Sequence, residues 1–320
     1  MSSTAVTISM RGMRSMRSLA LLLAMPLALA AGVALAQGDA PKTVPTLQKV
    51  RDTGVITLAH RESSIPFSYL DASKRPIGYA LDLCLRVVEA MRRDLKLPGL
   101  RVEYLAVTPA QRIPSIVDGK ADLECGNTTN TAARRKQAAF TVTHYFAGGR
   151  LLVRADSGIR RLAETRGKTI VVNAGSTHAA FLARAQEKGL FSGRVVEAKD
   201  ADAAFAELEA GRADAYLHDD IVLFALRANA KEPRQWEVVG EFTTVEPLAI
   251  MLRRDDPEFK KFVDLVLSRA MVDGEVAAIY RKWFLGPIPP KGVTLGIPIS
   301  PLLREQFVFP TDKVGDEIGG

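Results

Sequence analysis

The residues able to do chemistry are three arginines, one pair of aspartates and two clusters of small hydrogen-bonding groups. The longest cluster lies in Glu124 to Arg135, ECGNTTNTAARR, where Gly126 to Thr131 are all Gly, Asn or Thr and Arg134 follows Thr129 by five positions. Arg61 opens a second stretch, in HRESSIPFSY, with Ser63 and Ser64 just after it. Arg112 closes a third, TPAQR. A guanidinium is a planar fork that pairs bidentately with a carboxylate. A helix starting near Thr131 would add unpaired backbone N–H groups that favour an anion. Further on, AGSTH (174–178) supplies Gly175, Ser176 and Thr177, and HDD (218–220) supplies Asp219 and Asp220. Cations and hydroxyls on one side, with donors and a carboxylate on the other, suit a zwitterion carrying one extra negative charge. Each residue also has an ordinary explanation. A lone surface arginine is solvated, Asp220 reads as a helix cap or salt-bridge partner, and the serines satisfy turns.

These residues gain weight from the elements that precede them. VITLAH (55–60) reads as a buried strand, and Tyr79 to Leu95 as a helix with Leu81, Leu85, Val88 and Met91 near helical spacing. VEYLAV (102–107) is a strand, Ala110 to Val117 a short helix, ADLEC (121–125) a strand, and FAGGRLLVRA (146–155) another. After Ser157 and Gly158 the alternation resumes. Strands are expected at 169–175, 194–199, 213–219 and 236–240, with helices at 177–188, 201–211 and 220–228. LAIMLRR (248–254) reads as a strand, followed by helices near 257–271 and 274–284 and an irregular tail from Gly286. Such alternation predicts α/β architecture with mostly parallel sheets flanked by helices. Two blocks, with a last stretch able to return to the first, predict two lobes joined by crossings near 147–153 and 243–249. Ligands in open α/β sheets bind outside the carboxyl ends of the strands, which is where every candidate falls.

The first 36 residues read as a cleavable export signal. Arg11, Arg14 and Arg17 precede the apolar run Leu19 to Ala36, which ends in Ala34-Leu35-Ala36. A membrane anchor is the alternative. Removal of this segment would leave 284 residues, room for two cores, and would lower the net charge from +7 to +4. A mild, interspersed basic excess is not a nucleic-acid footprint. The chain shows no RNP motif, zinc-finger spacing, basic arm, Ser-His-Asp order or Gly-rich phosphate loop. No metal or other cofactor is expected from two cysteines and four scattered histidines. In an exported protein Cys84 and Cys125 could form a disulfide; two buried thiols are the alternative.

Taken together, GVITLAHRESSIPFSY, GYALDLC, QRIP, ECGNTTNTAARRKQAAF, AGST, LEAGRADAYLHDD, MLRRDDPEFKK and KWFLGPIPPKG resemble the periplasmic substrate-binding proteins of ABC transporters for polar amino acids, solute-binding protein family 3, and within it the glutamate/aspartate type. The likeness runs from about residue 45 to the C-terminus. It implies a two-lobed type II periplasmic-binding fold. Residues 1–36 would be the signal peptide, 37–147 plus 249–320 one lobe and 148–248 the other. It also implies a monomer that closes on an amino acid and docks on an inner-membrane permease. By the same resemblance Arg134 would clamp the ligand α-carboxylate, Asp219 accept from the α-ammonium, Arg61 and Arg112 face an acidic side chain, and Thr129 and Thr177 add hydroxyls, with Ser64 and Asn127 beside them. Three positions depart from the pattern. Pro109 and Asn127 stand where the type has serine, and Ala201 where it has a histidine near the ligand. His178 is placed to fill part of that space.

Two other readings share the fold. A dehydratase-like enzyme would need a general acid or base in the cleft, for which Glu62 and Asp219 are the candidates. A sensor module would use the same closure to address a receptor.

Overall fold

The structure is a computed structural model that describes residues 44–313. The expected signal segment lies outside the described residues. The first half runs through α1 (Thr46–Thr53), β1 (Val55–His60), a small meander of β2 (Ser63–Ser64), β3 (Ser68–Leu70) and β4 (Pro76–Ile77), then α2 (Tyr79–Asp94), β5 (Arg101–Ala106), α3 (Arg112–Val117), β6 (Leu123–Glu124), α4 (Ala132–Arg135) and β7 (Ala138–Phe140). The long strand β8 (Tyr145–Arg154) leads into β9 (Thr169–Asn173), α5 (Thr177–Glu187), β10 (Arg194–Ala198), α6 (Ala201–Glu209), β11 (Ala215–Asp219), α7 (Asp220–Asn229) and β12 (Trp236–Val239). The chain returns along β13 (Val245–Leu248) to β14 (Met251–Arg253), α8 (Pro257–Val272), α9 (Glu275–Tyr280), a hairpin of β15 (Pro287–Ile288) and β16 (Val293–Thr294), and α10 (Pro301–Val308). Among the described residues no helix is long and apolar enough to cross a membrane.

Two sheets organise these elements. The first has the order β5-β1-β6-β14-β7 and the second β10-β9-β11-β8-β12. Parallel pairing holds where strand–helix alternation is strict, for β1 with β5 and β6 and for β9 with β10 and β11. The strands that cross or return, β8 and β14, run antiparallel to their neighbours. Each sheet is therefore mostly parallel, with one reversed strand, β14 in the first and β8 in the second. A crossover helix enforces parallel pairing, and β8 and β14 are reached without one.

The two crossings pair with each other. β8 and β13 run antiparallel from Tyr145 opposite Leu248 to Gly148 opposite Val245, and β8 then continues beside β11 with Gly149 opposite Asp219. Gly149 is required there, because a Cβ on it would sit 2.5 Å from Thr243 Oγ1 and 2.7 Å from Thr244 Oγ1. The start of this double strand rests on an aromatic block. Tyr145 stacks on Phe284 at 5.1 Å between centroids, Phe284 stacks on Tyr280 at 4.2 Å, and Tyr79 donates from its hydroxyl to the His144 carbonyl at 2.8 Å. Stacked, buried rings of this kind give the crossings a stiff base.

Helix α2 buries Leu81, Leu83, Cys84, Val87, Val88 and Met91, whereas Leu85 is only half-buried. Cys84 is disulfide-bonded to Cys125, at the end of β6. The tail is more ordered than the sequence suggests. The turn of its hairpin is held by Tyr69, whose hydroxyl donates to the Pro289 carbonyl at 2.9 Å. At its tip Lys291 Nζ donates to the carbonyls of Asn229 (2.7 Å) and Ala230 (3.1 Å), at the end of α7. Helix α10 begins with Ser300, whose Oγ accepts from Leu303 N–H at 3.1 Å, and has Pro301 in its first turn. That cap-and-proline start is a standard helix opening, present in the sequence but shorter than a periodicity search detects.

Candidate functional site

The carboxyl ends of β1, β5 and β6 face those of β9 and β11. From β1, Arg61 is 3% exposed, and its Nη1 stands 4.0 Å from Oε1 of the fully buried Glu124. Burial, and then the neighbouring Arg112, push the Arg61 guanidinium down to about 9, while Glu124 partly offsets them. Arg112, in the first turn of α3, is also lowered by burial and donates from Nη2 to the Gly175 carbonyl at 3.4 Å. Arg61 Nη1 and Arg112 Nε are buried without a hydrogen-bond partner. An unpaired buried donor on a cation is costly. An acceptor reaching either group would relieve that cost.

The segment after β6 is extended and pairs with the return crossing. Thr129 bridges Leu248, Asn130 N–H donates to the Pro247 carbonyl at 2.8 Å, and Ala249 N–H to the Thr128 carbonyl at 3.0 Å. The row of small residues is thus neither a free turn nor a solvated loop. Thr131 caps α4, its Oγ1 accepting from Arg134 N–H at 3.2 Å. The cap turns Arg134 back over the strand end. Its Nη1 donates to the Thr129 carbonyl at 2.9 Å and its Nη2 to the Gly175 carbonyl at 3.2 Å. Burial and the neighbouring Arg112 push Arg134 down to about 9. Gly175 belongs to the turn after β9, with φ +72° and ideal Cβ position 3.1 Å from Ala110 Cα. Only glycine suits both that backbone and that approach.

On the facing side Asp219 ends β11. It accepts from Asn127 Nδ2 at 2.8 Å, and burial pushes its carboxyl up to about 6 although His178 and Asn127 act to lower it. Asp220, by contrast, serves the backbone. Its Oδ1 accepts from the N–H groups of Gly148 (3.2 Å) and Ile221 (2.8 Å). Ser176 caps α5, accepting from Ala179 N–H at 3.0 Å. Thr177 Oγ1 donates to Glu246 Oε2, on β13, at 3.0 Å. Burial works to raise the Glu246 carboxyl, but His178 and the hydroxyls of Thr129, Thr244 and Thr177 outweigh it and hold it below its ordinary range.

Arg61, Arg112, Asn127, Thr129, Thr177 and Asp219 line one small cavity, with about 20 Å³ of free space. That is room for about one water. Arg134 is not among the lining residues; it stands beside them, on the carbonyls of Thr129 and Gly175. Ser64 is not brought to its wall. It is buried in the β2–β3 hairpin, where its carbonyl accepts from Phe67 N–H at 2.8 Å. Glu62 is exposed and is not among the residues that line the cavity. Ala201 is buried at the start of α6 and is not among the lining residues.

Sequence reasoning missed Glu124, Asn173, His218 and Glu246. Asn173 is the last residue of β9 and His218 the last but one of β11, so both lie just short of the positions after each strand and neither carries a fixed charge to mark it. Tyr216 hydroxyl donates to Asn173 Oδ1 at 2.9 Å, and Asn173 Nδ2 lies 3.1 Å from His218 Nε2. Glu246 sits on a crossing strand, where no rule directed the search. His178, His218 and Asp219 bring three donor atoms within 4.8 Å of one another. Both His218 nitrogens are already engaged, one by Asn173 and the other by Asp219 N–H at 2.6 Å. Three guanidinium groups crowd the same space, so the surroundings oppose a multiply charged metal ion.

The chain is similar to known proteins over most of its length. The family described as bacterial extracellular solute-binding proteins, family 3, matches residues 56–286. The chain is 42% identical over 274 residues to the L-glutamate/L-aspartate-binding protein of Pseudomonas aeruginosa, covering 85% of this chain and 91% of that one. It is 40% identical over 280 residues to the glutamate/aspartate import solute-binding protein of Escherichia coli, covering 87% and 93%. Among solved structures, the solute receptor for L-cysteine of Neisseria gonorrhoeae superposes with a TM-score of 0.68 at 23% identity, covering 78% of this chain and 96% of that one, a likeness of fold alone.

Proposed function

The chain belongs to the bacterial extracellular solute-binding proteins, family 3, and on that premise we propose that it captures glutamate or aspartate in the periplasm and delivers it, as a monomer, to an inner-membrane ABC permease. Export would depend on the cleavable segment 1–36. The lobes are 37–147 plus 249–320 and 148–248, with β8 and β13 as the hinge. Sheet membership supports that division.

In this reading Arg134 and Thr129 take the ligand α-carboxylate and Asp219 the α-ammonium. Arg61 and Arg112 take the side-chain carboxylate, with Thr177 and Asn127 completing the shell. The observation that carries it is the pair of buried guanidinium donors without a hydrogen-bond partner on Arg61 and Arg112, across the cavity from Asp219. Glu124 offsets the charge of Arg61, so a neutral side chain would leave chiefly Arg112 unmatched. The free space is too small for an amino acid, so entry requires the lobes to part and Arg112 and Arg134 to leave the Gly175 carbonyl. Ligand then favours the closed form by its greater affinity for it.

Calorimetric titration with L-glutamate, L-aspartate and L-glutamine tests the proposal. Tight binding of the two acids with glutamine at least 100-fold weaker is expected. Equal affinity for glutamate and glutamine would overturn it.

A further inference from the structure

His178 has no part in the scheme above. It is the second residue of α5, only 2% exposed, and its Nε2 has no hydrogen-bond partner. That nitrogen lies 3.7 Å from Asp219 Oδ1. The ring is 5.4 Å from that of His218, and its Cδ2 stands 3.1 Å from where a Cβ on Gly149 would be. The hinge strand therefore backs the imidazole and holds it against the carboxylate. A buried polar atom left unpartnered in a binding cavity calls for a reason.

The charged and titratable groups facing this ring are Asp219 and His218 from β11, Glu246 from β13 and Arg134 from α4. Asp219 in turn faces Arg112 from α3 and receives Asn127. Burial is the largest influence on His178 and lowers it, as do His218 and Arg134, while Asp219 and Glu246 raise it. At neutral pH the ring is uncharged and Asp219 is left open to another cation. His218 cannot play the same part, because burial and Arg61 push it down to about 3 and both its nitrogens are engaged.

We infer that His178 belongs to the ligand site as an internal cation that competes with the ligand's ammonium for Asp219. The inference rests on the reading of Asp219 as the ammonium acceptor. Asp219 pairs either with the bound ammonium, beside a neutral imidazole, or, where acid has protonated the ring, with the His178 imidazolium in the unliganded protein. Both cations together would place two positive charges on one carboxylate in a buried space. Acid therefore releases the amino acid, and linkage makes the effect reciprocal: bound amino acid must lower the pKa of His178. Protonated His178 also stands in for the missing ammonium of a simple dicarboxylate. The preference for glutamate over glutarate should narrow as pH falls.

The imidazole nitrogens of the exported chain, followed by NMR from pH 8 to 5 with and without saturating L-glutamate, test this directly, with His178→Asn assigning the resonance. Glutamate is expected to move the His178 midpoint down by at least one pH unit. Below the unliganded midpoint the Kd for glutamate should rise about tenfold per pH unit, and this loss should shift to lower pH in His178→Asn. Glutamate binding that leaves the His178 titration where it was would overturn the inference and spare the proposed function. Failure of any acidic amino acid to bind at pH 8 would overturn both.

Discussion

The Arg134 guanidinium reaches the Gly175 carbonyl at 3.2 Å, so a side chain from the strand ends of the first sheet is already docked on the turn after β9 in the second. The same fork holds the Thr129 carbonyl at 2.9 Å. A ligand carboxylate offers two oxygens in place of these neutral acceptors, and the exchange favours the charged partner. Arg134→Ala should weaken every amino-acid ligand by about 100-fold or more, the range found when one partner of a buried charge pair is truncated. Arg134→Lys keeps the charge without the fork and should recover only part of the loss. Calorimetry with an acidic and a neutral amino acid checks this. A loss confined to the acidic ligand would assign Arg134 to the side chain instead.

Arg112 makes one long contact, to Gly175 at 3.4 Å, and keeps a free Nε inside the cavity. Arg112→Met preserves much of the packing while removing the cation. Glutamate and aspartate should bind about 30-fold or more weaker, while the residual affinity for glutamine changes by less than about fivefold. A uniform loss across all three would show that Arg112 serves closure rather than selectivity.

Asp219 carries a stability penalty whose sign can be worked out. Its carboxyl is raised by burial from 3.8 to about 6 in the folded protein. The unfolded chain ionises near its ordinary value, so stability from this group is fully present below about 4 and is lost as pH rises through about 6. The penalty at neutral pH is about 3 kcal/mol at most, at roughly 1.4 kcal/mol per unit. Asp219→Asn should therefore melt several degrees above the wild-type protein at pH 8, lose that advantage at pH 4, and bind no amino acid at either pH. Thermal denaturation at the two pH values decides. A variant that is less stable at pH 8 would contradict the assignment.

The Cys84–Cys125 bridge closes a separation of 41 residues and joins α2 to the end of β6. Constraint of the unfolded chain by a loop of this size contributes about 4 kcal/mol in the chain-entropy account. The double variant Cys84→Ser/Cys125→Ser should melt roughly 5–12 °C lower. Asn127 and Thr129 follow Cys125 by two and four residues, so glutamate affinity should fall as well. Calorimetric melting and binding on the same preparation read both effects, and unchanged melting would show that the bridge adds no stability.

The parts of the fold visible in the sequence are those with their own periodicity. β1, α2, β9, α5 and β11 each carry an apolar run or stripe long enough to stand out. The meander β2–β4, the three-residue β7 and the tail hairpin do not, because strands this short are specified by their partners. The antiparallel turn of β8 and β14 was hidden for a related reason: pairing direction depends on how a strand is reached. In the site, charge and the strand-end rule together marked Arg61, Arg112, Arg134 and Asp219. Ser64 satisfied the same rule but was turned into the hairpin. Glu246 comes from a hinge strand, and Glu124 from within a strand rather than beyond its end, so both escaped a search confined to the residues after each strand.

The tail hairpin changes what the hinge can do. Two adjacent crossings, on their own, would let one lobe both rock and yaw against the other. Lys291 Nζ grips the Asn229 and Ala230 carbonyls at 2.7 and 3.1 Å, while Tyr69 holds Pro289 in the same turn. An ammonium on the last carbonyls of a helix is favourably placed, and breaking such a charged contact costs about 1.5–3 kcal/mol. The hairpin is therefore a third link between the two sides, beside the paired strands β8 and β13, and one made by a charge rather than by backbone pairing.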